Sequence, residues 1–264
     1  MMRTNNKAGN LSGLGKFKIL LPGIPSRSSR GWFGYCTVIL FPLANRWALF
    51  DTGHYSDRAL LLESLKDQQI DPDEIGTVVL SHLHFDHVLN LSIFKNATLI
   101  ISKAELDYAQ RVSDGKIADP SIPDFWPVLF KGKDVRLVDD ALELEPGLEL
   151  VNLPGHTPGC LAMFYDEGVS VAACGDVIKN GWEALTAEAG SPGSAIDNLR
   201  ENIKFIADRA HVIIPGHDRP FNMRENGIEY LTDVSWQVQG NFYPRSRDEV
   251  LLNLELKGGF CPKT

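Results

Sequence analysis

Ser81-His82-Leu83-His84-Phe85-Asp86-His87 packs three imidazoles and a carboxylate into one short run, and it constrains the chain more than any other stretch. A helix would send positions 82, 84, 86 and 87 in divergent directions, whereas a strand end running into a tight turn lets them converge. Directly ahead lies Thr77-Val78-Val79-Leu80, an apolar, β-branched run that reads as a buried strand. The sequence therefore predicts a strand that delivers a ligand-rich loop. Imidazole plus carboxylate suits zinc or a similar divalent metal. A lone His-x-His would be read as a polar loop; the placement of the remaining histidines argues otherwise.

Three later stretches repeat one arrangement, a strand, a glycine-marked turn and then a ligand-competent side chain. They are Leu153-Pro154-Gly155-His156, Ala173-Cys174-Gly175-Asp176 and Ile214-Pro215-Gly216-His217. Glycine lets the backbone turn sharply enough for the next side chain to project from a sheet rim. Five of the seven histidines thus fall in strand-end loops; His54 and His211 read as structural. Asp51-Thr52-Gly53 also closes a strand. Its acid suits either an Asx turn or a partner that orients a ligating histidine.

At 264 residues the chain can bury a large core, and it reads as one domain over 1–264 with a loose leader at 1–15. A formal charge of -8 gives no electrostatic footprint for nucleic acid or an anionic membrane. Cys36, Cys160, Cys174 and Cys261 are scattered, with no Cys-x-x-Cys pair, so neither a zinc ribbon nor a disulfide framework is expected. The first eighteen residues carry no apolar secretory core, and no run approaches a membrane span. The expectation is a cytoplasmic protein with reduced thiols.

In chain order, strands are expected at 17–21, 36–41, 47–50, 77–80, 97–101, 135–138, 148–153, 161–165, 169–173 and 211–214, with a loop over 22–32. Ser56 is expected to cap a helix over 57–69 that turns Leu61, Leu62 and Leu65 to one face. Val88 to Phe94 reads as a short helix. Ser102 and Glu105 have capping-box spacing before a helix at 103–111, and Ser194 with Asp197 similarly precedes a helix through Ile206. A further helix is expected near 248–254. The segment 114–133, with three prolines and Phe125-Trp126, breaks this rhythm; it reads either as a surface loop or as a wall over the metal site.

The ordered set His-x-His-x-Asp-His, Pro-Gly-His-Thr-Pro-Gly, Gly-Asp and Pro-Gly-His resembles the metallo-β-lactamase-fold hydrolase superfamily over roughly residues 35–220. The resemblance implies an α/β fold, a four-layer αβ/βα sandwich with a dinuclear metal site at one edge of two sheets. By position, His82, His84 and His156 would hold one metal; Asp86, His87 and His217 would hold the second, and Asp176 would bridge both. Asp51 would match the aspartate that orients a histidine ligand. Two closely spaced metals need about seven protein ligands including a shared carboxylate, and seven candidates are present. The implied chemistry is attack by a metal-bridging hydroxide, with Asp86 steering its proton.

Within the superfamily, Asp176 and the absence of a signal argue against true β-lactamases. SHLHFDH resembles the lactonase and esterase branch, where a tyrosine commonly stands three residues after the bridging aspartate; here that residue is Lys179. Lys179 reads either as a solvated lysine or as an inward group that binds an oxyanion or a substrate carboxylate. Asn90-Leu91-Ser92 also departs from that branch's glycine-rich turn. The expected enzyme hydrolyses a small-molecule lactone or other carboxylic ester with two divalent ions, zinc ahead of iron or manganese. The alternatives are a thioester hydrolase of the glyoxalase II type, a nuclease and a non-catalytic metal-binding module.

Overall fold

The computed structural model describes residues 13–189, 198–240 and 250–262. Alternation along the strands explains its layers. Val38 and Leu40 face one cluster of buried side chains, while Ile39 and Phe41 face another; Val78 and Val79, and Leu99 and Ile100, split in the same way. Val171 and Ala173 join that second cluster from the other sheet, and Ala172 and Cys174 face a third. A side-chain period of two in strands buried on both faces thus builds three apolar layers between four layers of structure.

The first sheet runs in the order Lys18–Leu21, Val38–Leu43, Arg46–Phe50, Ile75–Val79, Thr98–Ser102, Val135–Val138. Its first two pairings are antiparallel and the remaining three parallel. The second sheet has eight strands, and only Val169–Ala173 and Val212–Ile214 pair in parallel. The helices are α1 (Arg58–Asp67), α2 (Phe85–Val88), α3 (Lys103–Ser113), α4 (Trp126–Phe130), α5 (Gly181–Thr186) and α6 (Leu199–Arg209). Leu61, Leu65, Ala109 and Trp126 cover the outer face of the first sheet; Ala184, Leu199, Ile203 and Ile206 cover that of the second. The result is the expected αβ/βα sandwich.

Several local expectations need correction. His54, not Ser56, caps the entry to α1: its Nδ1 accepts from Ser56 N, and a 3-10 turn at Tyr55–Asp57 precedes the helix. Leu61 and Leu65, one turn apart, share the buried face, while Leu62 turns outward. The expected helix at 88–94 divides into α2 and a 3-10 turn at Leu91–Ile93. The expected loop at 22–32 contains a short hairpin, Arg27–Ser28 with Gly31–Trp32. Residues 250–254 lie in a strand, Val250–Leu256, because pairing with Val234–Gly240 overrides local helical spacing; residues 248 and 249 lie outside the described residues, as do Ser194, Ile196 and Asp197. Leu14, placed in the expected loose leader, is buried. All four cysteines are free. Among the described residues, no helix is long and apolar enough to cross a membrane.

Candidate metal centre

The glycine-marked loops all leave the carboxyl ends of strands, so they meet at one edge of the sandwich. Two glycines are required there. Gly175 has φ +47°, and a Cβ on it would lie 2.5 Å from Ser81 Cβ; one on Gly216 would lie 2.3 Å from Asp176 Oδ1. These loops approach one another too closely for any side chain at either position.

The inner wall is built on Asp51, which takes a left-handed backbone (φ 61°), a conformation that Asp adopts more readily than most residues. Its Oδ1 accepts from Ser81 N at 2.7 Å, and its Oδ2 accepts from Ser81 Oγ at 2.7 Å and lies 2.8 Å from His87 Nδ1. Ser81 Oγ is also 2.9 Å from His82 Nδ1. The hydroxyl hydrogen serves the carboxylate, so His82 and His87 both donate through Nδ1 and turn Nε2 inward. At the rim, His84 Nε2 lies 3.0 Å from Asp119 Oδ2, which also accepts from Tyr108 Oη at 2.8 Å. His84 Nδ1 then faces His156 Nε2 at 2.9 Å. His217 Nδ1 donates to Tyr35 O at 2.9 Å, freeing its Nε2 for the centre.

Asp176 stands between these groups. Its Oδ2 is 3.3 Å from His156 Nε2, while Oδ1 is 3.3 Å from His87 Nε2 and 3.2 Å from His217 Nε2. Ligand-capable atoms of His82, His84 and His156 lie within 4.8 Å of one another, as do those of Asp86, His87 and His217, and those of His82, His87 and Asp176. Cys36, Asp51 and His87 form a further such group, but burial pushes the Cys36 thiol up to about 12 and the Asp51 carboxylate is already committed. That group reads as packing. Among the described residues, neither His54 nor His211 joins any such group.

The donor set fits a divalent cation. His82 Nε2 is buried with no hydrogen-bond partner, an orphan that costs about 1–3 kcal/mol unless something satisfies it, while His87 Nε2 and Asp176 Oδ1 stand 3.3 Å apart without forming a hydrogen bond. Burial drives His82 and His156 well below the ordinary imidazole range, keeping the neutral form that ligates. Burial acts the same way on His87 and His217, but the surrounding Asp176 and Asp86, joined at His87 by Cys36 and Asp51, outweigh it and raise both. Burial would raise Asp176, yet His217, His87 and His156 hold it well below the carboxylate range.

A cavity of about 190 Å³ opens over this centre, and Arg27, Trp32, Phe85, Ser121 and Lys179 complete its walls. Trp32 Nε1 donates to Asp86 Oδ2 at 3.1 Å, and its ring meets His217 edge-on at 5.1 Å. Lys179 is buried and pairs with Glu183 Oε1 at 2.9 Å; its side chain lines the cavity instead of reaching solvent. In the segment 114–133, Asp119 and Ser121 touch the site, whereas Phe125 is exposed and Trp126 packs in the core against Phe130.

Comparison with known proteins agrees with this geometry. The family model of the metallo-beta-lactamase superfamily matches residues 30–217. The chain belongs to that superfamily. Metallo-beta-lactamase domain-containing protein 1 of Mus musculus is 28% identical over 194 residues, covering 70% of this chain and 65% of that protein, so the match spans just under two thirds of its length. An N-acyl homoserine lactonase of a Bacillus species is 29% identical over 163 residues, 60% of this chain and 62% of the lactonase. Among solved structures, a Thermotoga maritima protein described as a metallo-beta-lactamase superposes with TM-score 0.64 at 24% identity, covering 79% of this chain and 99% of the other. A dizinc quorum-quenching lactonase superposes with TM-score 0.60 at 20% identity, covering 74% and 78%. At such identities the structural likeness shows the metallo-beta-lactamase fold.

Sequence reasoning overlooked several groups at this edge. Trp32 sat in an expected loop, and Asp119 lay in the irregular segment without a motif around it. Ser81 opened the quoted motif without an assigned role, and Glu105 passed as a helix cap. Only Ser81, directly before His82, had a positional signal.

Proposed function

We propose that this superfamily hydrolase cleaves a lactone or another carboxylic ester using two divalent ions, zinc being the first candidate. His82, His84 and His156 would hold one ion, Asp86, His87 and His217 the other, and Asp176 would serve both. The observation that carries this reading is the position of Asp176, with one oxygen toward His156 and the other toward His87 and His217. An imidazole-rich set with few carboxylates favours zinc over magnesium or calcium. The lactonases among the relatives and structural neighbours support an ester carbonyl as the target.

Bound divalent ions would supply a water acidified toward neutral pH and an electrophile for the acyl oxygen. The chain's own residues do the rest. Asp51 and Ser81 fix the His82 and His87 rings before any substrate arrives. Trp32 holds Asp86 by one oxygen and walls the cavity with an apolar face. Lys179, steadied by Glu183, lines the same cavity and can donate toward substrate oxygen.

The test is a panel of lactones, aryl esters and acyl-thioesters assayed with zinc, manganese and iron. Turnover of oxygen esters above thioesters is expected, and it should stop on chelation and return with metal. Thioester preference by an order of magnitude would move the assignment to that class, and phosphodiester cleavage alone would overturn it. Lys179→Ala, assayed on paired neutral and anionic esters, should lower kcat by about 10²-fold if the ammonium serves the oxyanion. A rise confined to KM for the anionic ester would instead assign it to substrate carboxylate binding.

A further inference from the structure

Glu105 is fully buried at the start of α3, where a helix cap would ordinarily face solvent. The Ser102 half of the expected capping box forms, with Ser102 Oγ accepting from Glu105 N at 3.0 Å. The Glu105 carboxylate does not return to the cap. Its Oε1 accepts from Leu83 N at 2.9 Å, in the loop between His82 and His84. Its Oε2 accepts from Thr157 Oγ1 at 2.6 Å and Gly159 N at 3.2 Å, in the loop that carries His156. Ser102 Oγ adds a bond to Gly159 O at 2.7 Å. Gly159 has no room for a side chain, since a Cβ there would lie 2.1 Å from Glu105 N.

One carboxylate therefore ties together the two loops that carry His82, His84 and His156, without touching any of the three rings. Among the described residues, its carboxylate bonds to Leu83, Thr157 and Gly159 and not to the Asp86, His87 and His217 group. All three partners are donors, so the ionised form meets its hydrogen-bonding demand in a dry site. We infer that Glu105 is a positioning residue for the three-imidazole site, setting the separation of the His82-His84 loop from His156. The inference rests on the metal assignment proposed above.

Glu105→Gln keeps the shape but replaces one acceptor oxygen by a donor, so either Leu83 N or Gly159 N loses its acceptor, while the Thr157 hydroxyl can turn to accept from the amide. In a His217→Ala background, which disables the other group, Co²⁺ titration should show affinity lowered by about 10–100-fold, the usual effect of losing a group that orients metal ligands. The visible Co²⁺ bands should shift as the imidazole geometry relaxes. Thr157→Val removes one donor from the clasp and should show a smaller loss, whereas Thr157→Ser keeps the hydroxyl and should restore wild-type values. If Glu105→Gln fails to fold, the Thr157 pair carries the same test. Co²⁺ affinity and spectrum equal to those of the parent, with only the melting temperature lowered, would make Glu105 a structural residue and overturn the inference. Absence of Co²⁺ binding in the unmutated chain would instead overturn the metal assignment itself.

Discussion

The inner and outer walls of the centre are stabilised in different ways. Inside, Asp51 and Ser81 hold His82 and His87 through a closed set of bonds with negligible solvent exposure. At the rim, Asp119 holds His84 from a loop and is itself only partly buried. Its pKa nevertheless falls below the carboxylate range, because contacts with His84, Ser121 N and Tyr108 outweigh its burial. The inner wall is part of the folding core and the outer wall is an attachment to it. The difference teaches that histidines gathered at one edge can be held either from buried strand ends or from an irregular loop nearer the surface.

The comparison breaks most visibly at Asp51. Asp51→Ala leaves Ser81 N and the His87 ring without their buried partner and should cost about 3–5 kcal/mol in chelator-treated protein, measured by urea unfolding. A loss under 1 kcal/mol would place the inner wall outside the core. Trp126→Ala comes next, at about 3 kcal/mol, because it empties a packed site under the first sheet. KM should stay unchanged across acyl chain lengths, since Trp126 does not line the cavity; a chain-length-dependent KM would return the aromatic pair to the site. Asp119→Asn should be the mildest for stability, within about 1 kcal/mol. Its effect should appear as roughly tenfold weaker metal binding, read by competition with a chromophoric chelator.

How much was legible follows the same division. His82, His84, Asp86, His87, His156, Asp176 and His217 could be read as candidates because their loops follow strands, and the sheets bring those loops to one edge. Asp51 was legible for the same reason. Asp119 and Trp32 were not, because irregular loops and a two-residue hairpin carry no period from which direction can be inferred. Glu105 was misread because capping and clasping share one local spacing, and only the packing of Gly159 against α3 distinguishes them. Lys179 had two open readings until Glu183, four residues on, supplied a buried partner. The helix expected at 248–254 failed because periodicity in a short apolar run does not separate a helix from a hairpin strand.

The central claim is that Asp176 serves two metal sites at once. The direct measurement is metal content and binding stoichiometry of the purified chain and of Asp176→Ala, titrated with zinc from the metal-free state. The account predicts saturation near two ions per chain for the parent and coordinated loss at both sites in the variant. Saturation at one ion in the parent despite excess metal, or full retention of both ions by Asp176→Ala, would contradict it.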